Sequence, residues 1–212
     1  MTATLTRRRW FRFLLVPAAL FVALLGAAGF AVFWFQCGPG LAKEADRLAS
    51  VVELRPGLTV ADIGAGRGRI AVRLARRLGP SGRLYATELG AAKLETLRRA
   101  AAGLANVSVL AASEHSTGLP DACCDVIYMR RVYHHLTDPA AVSKGLYAAL
   151  RPGGRLAVID MLSPRWIFFL HHGIPPDVPL GQLSAAGLVL DRRIDGWSPI
   201  DYCLVFRRPP EP

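Results

Sequence analysis

The segment Asp62-Ile63-Gly64-Ala65-Gly66-Arg67-Gly68 directly follows a short apolar run and opens a stretch with helical spacing. Strand, glycine turn and helix in that order constrain the fold more than any other feature of the chain. Glycines permit a tight turn and close backbone approach to a ligand, while a helix start presents unpaired N–H groups. The alternation then continues. Apolar runs predict strands at 59–63, 83–87, 107–110, 124–129, 155–159, 187–191 and 202–206. Helical patterns fall between them at 67–78, 91–103, 138–150 and 177–186, and another covers Leu41 to Leu54. Strands alternating with helices predict an α/β fold, a doubly wound seven-stranded sheet with helices on both faces. Only Arg192 to Asp201 separate the last two strands, which predicts an antiparallel hairpin at the sheet edge.

Ahead of this domain lies a different kind of segment. Phe13 to Phe35 run for 23 residues without a charge, enough to span a hydrocarbon core of about 30 Å. Trp10 and Phe11 stand at one end and Phe33, Trp34 and Phe35 at the other, as interfacial aromatic belts do. A cleaved signal peptide would need a shorter apolar region and a small-residue cleavage site. The predicted organisation is a basic tail over 1–12, one N-terminal transmembrane helix over 13–36, and a domain over 41–208. The chain has 212 residues, which suits one such domain plus an appendage.

Charge and cysteine content narrow the chemistry. Arg7, Arg8, Arg9 and Arg12 give the first forty residues +4, and the remainder contributes +6 to a total of +10. No aromatic-interleaved basic stripe accompanies that excess, so nucleic acid is not expected, and an anionic membrane surface fits better. Cys37, Cys123, Cys124 and Cys203 form no CxxC pair and no metal-ligand spacing, so no metal is expected.

Twenty residues beyond the glycine turn, Glu88 ends the second predicted strand, the place for a carboxylate that accepts ribose hydroxyls. A dinucleotide loop usually runs GxGxxG, whereas here the acid precedes the first glycine in D-x-G-x-G-x-G. That pattern resembles the first motif of class I S-adenosylmethionine-dependent methyltransferases. Further motifs follow in order: Leu119-Pro120-Asp121 leading to Asp125, Tyr133-His134-His135-Leu136-Thr137-Asp138-Pro139, Leu150-Arg151-Pro152-Gly153-Gly154, and Ala185-Ala186-Gly187-Leu188. Residues 41–208 are similar to the small subgroup related to ubiquinone/menaquinone-biosynthesis-type and arsenite-type enzymes.

The resemblance implies a Rossmann-like fold and S-adenosylmethionine as cofactor. Asp62, Gly64, Ala65, Gly66 and Gly68 would hold its methionine portion, Glu88 its ribose, and Leu89 would lie against adenine. Where the family commonly has an adenine-binding Asp, this chain has Ser113, so either Ser113 or Glu114 would take that role or the cofactor would be held more weakly. Arg130 would lie where the pocket opens toward substrate. For catalysis His135, His171 and His172 are candidates, with a structural role for His135 as the alternative; adjacent histidines make poor metal ligands. The expected function is methyl transfer to a small or lipid-like acceptor at a membrane, and the alternative is a methyltransferase-fold membrane protein that binds a ligand or partner without turnover. Four arginines before the apolar run and Lys43, Arg47 and Arg55 after it barely bias its orientation. A cytosolic cofactor pool argues for the domain on the cytoplasmic side.

Overall fold

A computed structural model describes residues 21, 23–27, 39–162 and 173–210. The chain divides into two compact units, Met1–Glu44 and Ala45–Pro212. In the first, residues 21 and 23–27 are helical, with Phe21, Leu24 and Leu25 exposed. No helix among the described residues is long and apolar enough to cross a membrane. The rest of the predicted span 13–36 lies outside the described residues, as do His171 and His172.

The elements in chain order are α1 (Pro39–Val51), β1 (Thr59–Ile63), α2 (Arg69–Leu78), β2 (Arg83–Glu88), α3 (Ala91–Ala101), β3 (Val107–Ala111) and β4 (Cys124–Arg130). A 3₁₀ turn at Tyr133–His135, α4 (Pro139–Ala149), β5 (Leu150–Met161), α5 (Asp177–Ala185), β6 (Val189–Ile194) and β7 (Asp201–Arg207) complete them. They build one seven-stranded sheet in the order β3-β2-β1-β4-β5-β7-β6. Strands β1 to β5 pair in parallel, and β7 runs antiparallel to both β5 and β6. β6 and β7 form the antiparallel hairpin expected at the sheet edge, with β6 outermost and the antiparallel strand β7 one place in. The chain leaves β5 through α5 and enters β6 one place too far out, and β7 then fills the gap.

Alternate residues explain why both faces are covered. Ala61, Ile63, Ile127, Met129, Leu156, Val158, Leu204 and Phe206 join Val142 and Leu146 of α4 and Leu183 of α5 in one core. The intervening positions Val60, Val126, Ala157 and Val205 are equally buried, as are Leu48 of α1 and Leu74 and Leu78 of α2. A parallel sheet buried on both faces reads as near-continuous apolar runs, which is how these strands read in the sequence. Cys124 is buried and Cys123 packs against the first core, so the vicinal thiols act as small apolar groups.

Element ends depart from the sequence reading for local reasons. β5 starts at Leu150 because Gly153 N–H donates to Arg208 and Arg208 N–H donates to Gly154, tying the Arg-Pro-Gly-Gly stretch to the chain after β7. At the end of α2 the Asn106 side-chain amide donates to the carbonyls of Ala75 (2.8 Å) and Gly79 (3.0 Å), groups that the helix itself leaves unpaired. Asn106→Ala should lower the unfolding free energy by about 1–2 kcal/mol, read from the urea midpoint, since the Ala75 carbonyl loses this donor and the Gly79 carbonyl keeps only the 3.3 Å bond from Gly82 N–H.

Candidate active site

The C-terminal ends of β1, β2 and β4 open into a cleft of about 480 Å³. Its floor is the glycine turn. Gly64, Gly66 and Gly68 have φ of +66°, +56° and +70°, a region that side chains other than glycine's rarely adopt. A Cβ on Gly64 would stand 2.6 Å from Val132 Cγ2, and one on Gly68 would stand 2.8 Å from Leu97 Cδ1. The first glycine thus lets the turn after β4 close over the loop, and the third lets α2 start against α3. Ala65 N–H donates to Thr87 at 2.9 Å, which fastens the loop to β2.

Glu88 ends β2 and is 6% exposed. One carboxylate oxygen accepts from Gly66 N–H at 2.7 Å and the other from Leu89 N–H at 2.9 Å, with Lys93 Nζ at 3.7 Å. The carboxylate therefore bridges the loop and the start of the next connection, and it lines the cleft with Leu89 and Lys93.

Asp62 lies behind the loop, 4% exposed, paired in register with Ala86 and Tyr128. Burial pushes its pKa up to about 7, and the Glu88 charge adds to the effect. The neighbouring Tyr128 hydroxyl and Arg130 pull the other way. The Tyr128 hydroxyl nonetheless lacks any partner within ordinary hydrogen-bond geometry, so its pull on Asp62 acts at longer range than a formed bond.

Opposite the loop, Ser113 and Glu114 line the cleft from a tight turn in which Ser113 and Ser116 pair backbone to backbone. Arg130 and His135 line it from the end of β4. Ala65, Gly68 and Asp62 stand behind the lining.

Several residues of the site carried no sequence signal. Arg131 has φ +55°, unusual for a side chain of that size, and its backbone N–H donates to Ile159 at 2.7 Å. Its guanidinium holds Asp201 through Nε (3.0 Å) and a terminal nitrogen (2.8 Å), and Asp201 is 1% exposed. That turn sends the two histidines different ways. His135 faces the cleft, while His134 binds the buried Asp160 through Nδ1 (2.5 Å) and its backbone N–H (3.1 Å). The two rings remain in contact, with centroids 3.9 Å apart. Lys93, Thr117 and Thr137 also line the cleft without having been singled out.

A glycine turn leading from a parallel strand into a helix, with a carboxylate ending the neighbouring strand, defines a nucleotide-cofactor domain with its ligand cleft at the strand ends. A family model described as a methyltransferase domain matches residues 61–158. An uncharacterized 37.1 kDa protein in a transposon of Streptomyces fradiae is 33% identical over 119 residues, 56% of this chain and 34% of that protein. The ubiquinone/menaquinone biosynthesis C-methyltransferase of an Enterobacter strain is 28% identical over 114 residues, 52% of this chain and 45% of that enzyme. The chain thus spans less than half the length of these curated relatives. Among solved structures, a SAM dependent methyltransferase from Aquifex aeolicus is 25% identical with a TM-score of 0.67, covering 77% of this chain and 89% of that one. A geranyl diphosphate C-methyltransferase from Streptomyces coelicolor, 15% identical with a TM-score of 0.67 over 79% of each chain, shares the fold. The chain carries a class I S-adenosylmethionine-dependent methyltransferase domain.

Because the Asp62 pKa is higher folded than in the unfolded chain, the folded state keeps a proton that the unfolded state has lost between about pH 4 and pH 7. Stability of the ligand-free protein therefore falls as pH rises through that window, by at most about 4 kcal/mol from this group. Asp62→Asn should flatten the fall and be more stable than the parent above pH 7, as urea unfolding at pH 5 and pH 8 would read.

Proposed function

We propose that the chain transfers a methyl group from S-adenosylmethionine to a small or lipid-like acceptor, at a membrane to which the apolar run 13–36 anchors it. The observation that carries the cofactor reading is the pair of carboxylates flanking the glycine turn, Asp62 buried behind it and Glu88 at its rim. The residues fit that cofactor. Asp62 keeps a pKa near 7 despite the pull of Arg130, so a bound amino group would stabilise its charged form, and Gly64 leaves room that a Cβ would fill.

Bound there, S-adenosylmethionine would supply a methyl already activated on a sulfonium. Asp62 and the backbone of Gly64, Ala65, Gly66 and Gly68 would hold the methionine portion. Glu88 would accept from the ribose while Gly66 N–H keeps its carboxylate in place. Leu89 would lie against adenine, and Ser113 or Glu114, which line the same cleft, would accept from its amino group. Arg130 and His135 line the side left for the acceptor molecule. Alignment of nucleophile and methyl supplies most of the rate in such a transfer, so the site needs few reacting side chains.

An apolar acceptor draws support from the likeness to the quinone-biosynthesis C-methyltransferase. The anchor draws support from the charge-free run and its flanking aromatic residues. Use of a cytosolic cofactor favours the domain on the cytoplasmic side.

Calorimetric titration of the full chain tests the cofactor reading. S-adenosylmethionine and S-adenosylhomocysteine should bind at micromolar concentrations, and Asp62→Ala should weaken both about 100-fold or more. Ionisation of Asp62 on binding should release about half a proton at pH 7, seen by comparing buffers of different ionisation heat. A folded chain that binds neither ligand would overturn the reading.

A further inference from the structure

We propose that the outward faces of α2 and α3 form a docking surface for an anionic lipid bilayer. Residues 64–106 hold nine lysines and arginines against two carboxylates, so +7 of the chain's +10 lies there. Of the two acids, Glu88 is buried at the cleft and Glu95 is already bound to Arg99. α2 buries Ile70, Leu74 and Leu78 and turns Arg69, Arg73, Arg76 and Arg77 outward. α3 buries Leu94 and Leu97 and turns Lys93, Arg98 and Arg99 outward. Gly68 at the start of α2 meets Leu97 of α3, so the two helices lie side by side and their basic faces are continuous.

The pairing pattern separates this flank from the rest of the domain. Elsewhere several arginines are matched: Arg151 with Asp125, Arg155 with Glu53, Arg193 with Asp177 and Asp195, Arg207 with Asp191. Arg67, Arg73, Arg76 and Arg98 are exposed and have no ion pair or hydrogen bond among the described residues; outside this flank the exposed bases in that state, Lys43, Lys144 and Arg192, are scattered along the chain. Uncompensated charge destabilises a fold by self-repulsion, and a concentrated patch of it is the electrostatic footprint of a polyanionic partner.

Two observations select lipid over nucleic acid. Neither helix carries an aromatic side chain, so the face offers no platform on which bases could stack. The chain also enters the domain at Ala45 in α1, on the same sheet face, where Asp46 pairs with Arg77 of α2. The apolar run ending at Phe35 lies only a few residues upstream in the sequence. A polybasic face in a chain that also carries such a run is drawn to anionic headgroups, by roughly fivefold in partitioning per arginine, and salt screens the attraction over about 10 Å. This inference leans on the lipid reading of the run and not on methyl transfer.

Phenylglyoxal labelling of arginines tests it, with the full chain in nanodiscs of phosphatidylcholine alone or with phosphatidylglycerol added. Labelling of Arg73, Arg76 and Arg98 should slow at least about fivefold in the anionic discs, recover at about 1 M salt, and leave Arg192 unchanged. Equal labelling in both discs would overturn the docking surface. Co-elution with the neutral discs reads the apolar run separately. A chain that leaves neutral discs but stays with anionic ones, and loses them as Arg73→Gln/Arg76→Gln/Arg98→Gln, would sink the anchor and keep the surface.

Discussion

Two carboxylates held near one another at the ends of β1 and β2 set the terms for the rest of the cleft. Asp62 is buried and Glu88 nearly so, and the Glu88 charge helps to keep the Asp62 proton in place. Two ionised acids in so little water would repel each other at a cost the fold reduces in two ways. Glu88 is satisfied by the amides of Gly66 and Leu89 and stays fixed, while Asp62 is left able to titrate near neutrality. The loop geometry follows from the first of these. Gly66 must adopt φ +56° for its N–H to reach Glu88, and that turn aims the start of α2 at the cleft. Ligand-free, the site is electrostatically unfinished, and a cationic group beside Asp62 would complete it.

The strands were legible because a sheet buried on both faces allows no polar alternation, so each appears as a compact apolar run. The loop and Glu88 were legible because glycine and a strand-ending acid have few other uses at that spacing. Strand order beyond β5 was not, since the pairing of β7 with both β5 and β6 depends on contacts far apart in the chain and on no local residue type. Nor could the sequence separate His134 from His135. Their roles are assigned by Arg131, whose left-handed backbone and bond to Asp201 rotate the following turn until one imidazole meets Asp160 and the other meets the cleft. Asp160 itself reads as the end of an apolar strand and gave no sign of a partner 26 residues away.

Arg131 also joins the cleft to the opposite side of the domain. Asp201, which it holds, accepts a further bond from Ser198 Oγ at 2.6 Å, and the adjacent Trp197 carbonyl accepts from Arg47 of α1 at 2.6 Å. The Arg47 guanidinium also lies 4.3 Å from the Trp197 ring centroid. The 197–201 turn is thus gripped at one end by a residue lining the cleft and at the other by the first helix of the domain. A buried charge pair of this kind is weak evidence for net stability, because desolvation offsets much of the attraction. Its use here is geometric: it fixes a strained turn whose conformation decides what faces the ligand.

Arginines therefore behave differently toward the two ends of the sheet. Arg155 of β5, Arg193 of β6 and Arg207 of β7 are matched to carboxylates and act as fasteners, whereas Arg192 of β6 is not. On α2 and α3, Arg73, Arg76 and Arg98 have no carboxylate partner among the described residues, whereas Arg77 pairs with Asp46 and Arg99 with Glu95 one turn away. Stability alone would favour the matched arrangement everywhere. A domain that matches most arginines at one end and leaves Arg67, Arg73, Arg76 and Arg98 open at the other keeps that flank complementary to an anionic surface.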